Sequence, residues 1–421
     1  MIHYLCYCCA MLFALFSFLL ATPLSAQAQT REAYVAQSED ETTLTFYYDA
    51  LRSTRPGTTW GIGETKQLGG PAWAGTNVEG NATTARVVFD ASFQDFRPTT
   101  TAKWFHYCVA LKQIEGLEYL NTSEVKDMRG MFSNCWRLKS LDLENFNTQN
   151  VTNMEGMFYG CEALTSLDLK NFNTQNVTNM SWMFEGSALT SLDLKNFDTQ
   201  NVTNMSSMFE SCWRLKSLDL ENFNTQNVTD MSGMFHGCSA LTSLDLKNFN
   251  TQNVTDMGFM FQGCEALTSI DLRNFDTQNV TEMILMFSFC KALTSLDLKN
   301  FDTQNVTNMR DMFSGCEALT SLDLKSFNTQ NVTNMRSMFS SCKALTTIHS
   351  NTAWQCLDSE FMFYNCTKLK GAVAYDKNKD DAKMANPKTG YFTAQPTMVE
   401  RNRRRAAHLP AASKRVRGAR K

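Results

Sequence analysis

The sequence predicts an α/β solenoid: a right-handed coil with a concave parallel β-sheet and short convex helices. Three observations predict it. First, a Met-Phe pair recurs with Met at 131, 157, 183, 208, 234, 260, 286, 312, 338 and 362, at steps of 24 to 26 residues. Second, each unit joins a stretch of period two (Leu-x-Leu) to a stretch in which Val, Met, Met-Phe and Cys follow at steps of three or four, the marks of a short strand and a short helix. Third, the units between Leu138 and Ala344 are nearly identical while the outer ones decay, as the ends of a stacked array must to cap its core.

Composition agrees with a repeat protein. The 421 residues hold 23 Met, 30 Phe and 14 Cys but only 5 His, and 43% of them are hydrophobic. That apolar content excludes wholesale disorder, and the scarcity of His argues against a His-based metal or acid/base site. Most Met and Phe fall on repeat positions, where a stripe at this spacing is core.

Taken in order, residues 1–26 read as a signal peptide. Tyr4–Leu20 is apolar and uncharged, and small residues follow, with cleavage after Ala26 or Ala28. The chain is therefore expected to be secreted or at the cell surface, and no later stretch is long and apolar enough to span a membrane. Residues 27–83 form an N-terminal cap region, with one strand signal at Leu44–Tyr48 and then a stretch rich in Gly, Pro and Trp. Residues 84–110 are a degenerate capping repeat, in which Trp104-Phe105-His106-Tyr107-Cys108 copies the spacing of Met131–Cys135. Residues 111–369 are the repeats of about 26 residues, of consensus LTSLDLKNF(N/D)TQNVT(N/D)MxxMFxGCxA. Residues 370–394 form a C-terminal cap, and 395–421 a basic disordered tail whose last 21 residues carry nine Lys and Arg and no acid.

Within a unit, Leu faces inward and Ser, Asp and Lys outward on the strand. The Thr before Asn/Asp-Met suits a helix N-cap, and the Gly before Cys suits a helix end. The Asn columns of NTQNVTN suit coil corners, where their amides satisfy backbone groups that neither strand nor helix reaches. A period of 26 lies in the range of leucine-rich repeats.

On the NVTNMxxMFxxCxxLTSLDLxxFNT units, the chain resembles the BspA-like leucine-rich-repeat surface proteins of bacteria. Thr43–Asp49 and Asn386–Phe392 add less specific support. The resemblance implies a surface-exposed or secreted adhesin that binds host extracellular proteins or other cells, with no enzyme activity and no cofactor. No sorting or anchoring region of the kind many such proteins carry at their C-terminus is evident.

Four columns hold the candidate chemistry. Cys135, Cys161, Cys212, Cys238, Cys264, Cys290, Cys316, Cys342 and Cys366 share one slot, read as a buried column of thiols, with disulfides between neighbouring coils as the alternative. The parallel Cβ vectors of stacked coils suit a disulfide poorly. Asp168, Asp193, Asp219, Asp245, Asp271 and Asp297 form an acidic column on the strand. Beside it, Lys195, Lys247, Arg273 and Lys299 form a mainly cationic one. These are either a ligand-contact surface or a self-neutralising solvated face. Variation is concentrated after the first Met of each unit, where Phe259, Ile284 and Leu285 are expected outward on adjacent coils as an apolar contact patch.

No Gly-x-Ser-x-Gly, His-Glu-x-x-His or phosphate loop lies outside the repeats, and identical units give each Asp or Cys many equivalent surroundings. The expected function is thus a non-enzymatic binding protein acting on a protein ligand. The alternative is a structural, self-associating surface protein of the envelope or biofilm. No metal, no cofactor and no specific nucleic acid is expected; the tail lacks the aromatics that stack on bases.

Overall fold

The computed structural model describes residues 30–66 and 69–394; the expected signal peptide and basic tail lie outside the described residues. The chain opens with β1 (Glu32–Gln37), β2 (Thr43–Asp49), β3 (Thr59–Gly61), β4 (Arg86–Phe89) and β5 (Gln113–Glu115). They form one mixed sheet in the order β3-β1-β2-β4-β5. β1 pairs antiparallel with β2 and β3, while β2–β4 and β4–β5 are parallel. Alternation on β2 buries Leu44 and Phe46. Phe46 stacks on Phe89 and Trp104, with centroids 4.5 and 5.3 Å apart, and meets Trp73 edge-on. Phe105 then stacks on Phe132 at 5.6 Å, so the core of the first sheet runs without a break into the repeats.

The repeats stack one on the next. Ten parallel bridges link equivalent residues, from Thr100↔Asp127 through Asn204↔Asp230 to Asn334↔Asp358. The Phe of each Met-Phe pair lies on its neighbour: Phe158, Phe184, Phe209, Phe235 and Phe261 are 5.8 Å apart with ring planes within 8°. Each of these rings is fully buried, and burial of such a side chain is worth about 1.5–3 kcal/mol.

The segment that the sequence reads as a short helix is a chain of turns. In the third coil the amides of Met154, Gly156, Phe158 and Gly160 donate across to Asn179, Ser181, Met183 and Glu185 of the next coil, at 2.7–3.0 Å. The amides between them close tight turns: Met157 to Met154, Tyr159 to Gly156 and Cys161 to Phe158. A helix needs every amide bonded four residues back; here alternate amides are committed to the neighbouring coil. The apolar residues still recur at steps of three and four, so spacing alone does not separate the two structures. The turns require positive φ at two residues per coil, such as Gly156 and Gly160 or Ser207 and Ser211.

The predicted concave sheet is also much reduced. Among the described residues, regular pairing there is confined to the two ends of the array: β4 with β5 at the start, and β6 (Ser321–Asp323) with β7 (Thr347–His349) and β7 with β8 (Phe392–Thr393) at the end, all parallel. In the middle coils, among the described residues, the strip is joined chiefly at its leading Thr, as from Thr242 to Lys216 at 3.2 Å. The second Phe column follows the wider spacing, with Phe146 and Phe172 at 6.4 Å. Successive coils are therefore held closest at the turns, opposite to the side on which the sequence places the inside of the curve.

Two further columns lock the stack. Thr225 Oγ1 donates to the Asn250 carbonyl at 2.9 Å and accepts from the Asn250 amide at 2.8 Å, and this reciprocal pair recurs along the array. Asn side chains such as Asn176 and Asn227 reach back to the carbonyls of Gln149 and Gln200 at 2.7 Å. At the C-terminal end, Trp354 meets Phe392 at 4.8 Å, and Tyr391 and Phe392 close over Phe363.

Candidate functional site

The buried frame is nearly invariant, and differences between coils are concentrated in side chains that leave the turn ladder outward. Each coil offers two residues between its Met positions, one after Met-Phe, and one before Cys. Where the second residue has positive φ and a side chain, as in Trp182, Phe259 and Leu285, the backbone holds that side chain at a cost of about 1–2 kcal/mol. Trp182 is 41% exposed.

Phe259 is exposed and lies 6.2 Å from the His236 ring, while Ile284 and Leu285 are only half-buried. Phe289, 44% exposed, adds a further apolar side chain of the same coil as Ile284 and Leu285. It occupies the slot that is Gly in most units, and this exception is the signal that reveals it. Trp136 and Trp213 are exposed just after the Cys slot.

The same ladder carries a buried acidic run. Glu185 is pushed up to about 8 by burial and by neighbouring Glu210. Burial acts upward on Glu210 too, but hydrogen bonds from His236 and Ser207 outweigh it and hold it low; His236 Nδ1 lies 2.8 Å from Glu210 Oε1.

At the N-terminal end Gly130 and Gly156 fall on consecutive coils at the outward position that Trp182 fills on the next. The missing side chains leave a cleft of about 370 Å³ lined by Lys103, His106, Arg129, Ser133, Glu155, Tyr159, Trp182 and Glu185. It runs on towards the loop around Thr76 and Asn77 through a second cleft that shares Lys103, His106, Ser133 and Tyr159.

The charged columns lie on the loosely joined strip. Within a coil, Asp Oδ1 accepts the amide two residues on, as from Lys170 to Asp168, Lys195 to Asp193 and Glu221 to Asp219. The carboxylates then pair with the cation of that residue: Asp168 with Lys170, Asp245 with Lys247, Asp271 with Arg273 and Asp297 with Lys299, at 2.6–3.2 Å. The Arg273 side chain pulls Asp271 down to about 2. The shortened unit opens a depression of about 400 Å³ between Asp168, Lys170, Asp193 and Lys195. The Asp column thus has a local turn-forming task in each coil.

The column cysteines are fully or almost fully buried, and each described cysteine carries a free thiol. Each column thiol donates to a Phe carbonyl of the preceding coil, as from Cys238 to Phe209 and Cys316 to Phe287 at 3.1 Å. Burial pushes Cys161, Cys264 and Cys316 up to about 12.

A stack of short coils with a buried Phe and Cys frame and an exchangeable outer ladder defines a class of repeat proteins. The chain belongs to the family described as "Mycoplasma protein of unknown function, DUF285", whose model matches residues 99–217, 188–295 and 268–378. No curated protein matches it. Among solved structures it is similar to the leucine-rich-repeat protein TpLRR of T. pallidum, at 17% identity over 55% of this chain and 86% of that one, TM-score 0.25. It is also similar to the pneumococcal vaccine antigen PcpA, at 12% identity over 86% and 99%, TM-score 0.32. No helix among the described residues is long and apolar enough to cross a membrane.

Proposed function

We propose that the chain is a non-enzymatic, secreted or surface-exposed binding protein. It winds as a right-handed solenoid and acts as an adhesin towards host extracellular proteins or other cells, in keeping with its resemblance to BspA-like proteins. One observation carries the reading: variation between coils is concentrated in outward side chains of the turn ladder, over a frame that is nearly constant and buried. A rigid frame with exchangeable outer residues is an arrangement for presenting contacts.

The patch of Phe259, Ile284, Leu285 and Phe289 is the proposed centre of protein contact, since exposed apolar clusters mark partner sites. The Asp and Lys columns, including Asp193, Asp219, Lys195 and Lys247, offer a second, polar surface. The test is binding of the chain to immobilised extracellular matrix proteins, with Phe259, Ile284, Leu285 and Phe289 together replaced by Ser. At least a tenfold loss of binding with an unchanged melting transition is expected. Unchanged binding by the quadruple variant would overturn the role of the patch. Concentration-dependent growth in light scattering without any ligand would favour the self-associating alternative.

A further inference from the structure

The cleft over Gly130 and Gly156 lies on the first coils of the ladder, with Trp182 three coils before Phe259, and differs from the apolar patch in chemistry. Its floor is backbone. A Cβ added at Gly156 would meet only the Tyr159 Cβ, at 3.6 Å, and one at Gly130 nothing closer than 3.5 Å. The space is thus made by the choice of glycine, since the same position on other coils accepts Trp182, Ser207 and Phe259 at positive φ. One end of the cleft is formed by the exposed Trp182, a bulky residue in a backbone region that disfavours it. The indole is 41% exposed, which leaves aromatic surface free to meet a ligand.

The remaining walls are polar, with the cationic Lys103 set against the Glu155 carboxylate. Arg129 is paired with Asp127 at 3.2 Å, and Glu155 accepts from Asn179 at 3.1 Å. Glu185 is held protonated at neutral pH, and burial with neighbouring Lys103 pushes His106 down to about 4, leaving it uncharged. His106 Nδ1 is buried without a hydrogen-bond partner.

An aromatic face beside donors and acceptors of little net charge suits a ligand with apolar faces and hydroxyls that both donate and accept. We propose that this cleft binds a neutral pyranose unit of a glycan, with Trp182 stacking on the ring and Glu155, Glu185 and Ser133 bonding its hydroxyls. The site is separate from the protein-contact patch and stands or falls independently of it.

The experiment titrates the full chain with three neutral probes (lactose, chitotriose and cellotriose) and with sialyllactose, by calorimetry. Saturable binding of at least one neutral probe in the millimolar range or tighter is expected. Trp182→Ala should weaken it at least tenfold, and Gly156→Trp, which refills the cleft with a residue the next coil already carries there, should abolish it. Gly233→Trp, at the equivalent position outside the cleft, and Phe259→Ser should leave it unchanged. Circular dichroism and the melting transition keep the Gly156→Trp result from being confused with misfolding. Binding of sialyllactose alone, binding of none of the probes at 20-fold molar excess over a millimolar dissociation constant, or binding that survives both Trp182→Ala and Gly156→Trp would overturn the proposal.

Discussion

The turn ladder and the Leu-Asp-Leu strip run side by side along the same coils, yet they are built differently. On the ladder, alternate amides cross to the next coil at 2.6–3.2 Å and the Phe rings stack at about 5.7 Å. On the strip, regular pairing is confined among the described residues to the first and last coils, and the charged side chains pair chiefly within their own coil. The ladder holds the stack together, while the strip closes each coil around its leucines. The comparison also locates freedom to vary: it lies mostly on the outside of the rigid ladder, while the looser strip changes chiefly at the charged residue two after each Asp.

This difference sets the size of mutational effects. Phe235→Ala, in the middle of the ring stack, should cost about 3–5 kcal/mol in urea unfolding, because it leaves a cavity against both neighbouring rings. Thr225→Val should cost about 1–3 kcal/mol, since both the carbonyl and the amide of Asn250 lose the hydroxyl that serves them. Glu185→Gln should stabilise the protein at pH 8. The folded pKa of Glu185 is raised to about 8, so the wild type loses stability as pH rises above the ordinary carboxylate value near 4.5 and until it passes the folded one. Discounted for partial exposure, the gain at pH 8 should be about 1 kcal/mol, vanishing below pH 4. Asp245→Ala on the strip should lower the melting transition only slightly: it gives up the bond from the Lys247 amide, but the carboxylate is solvated and its partner Lys247 is more than half exposed. A large loss there, or none at Phe235, would reverse the order of the two regions.

The repeat and its buried columns were legible in the sequence. Met, Phe, Cys and Leu sit at fixed offsets, and burial follows from their recurrence. The Asn columns were readable too, because corner carbonyls need donors that regular elements do not supply. The ladder's conformation was not. Met154, Met157, Phe158 and Cys161 follow at steps of three, four and seven in a helix and in these turns alike. The clue lay elsewhere, in paired positions that are repeatedly Gly, Ser or Asn, the residues that tolerate positive φ. For the candidate site, Phe259 was visible as an outward apolar residue, whereas Phe289 and the Gly130–Gly156 cleft emerge only when coils are aligned across space. Slot exceptions such as these are legible once the frame is known. The Asp column carries two readings for a physical reason: an Asp before a turn accepts the amide two residues on, so its recurrence has a local cause whether or not a ligand uses it.

The most direct test of the account is amide hydrogen exchange on the native chain. If the turn ladder carries the stack, the amides of Met231, Gly233, Phe235 and Gly237, each bonded across to the next coil, should exchange among the slowest. Those of Asp245 and Leu246 on the strip of the same coil should exchange orders of magnitude faster. Equal protection of the two regions, or slower exchange on the strip, would contradict it.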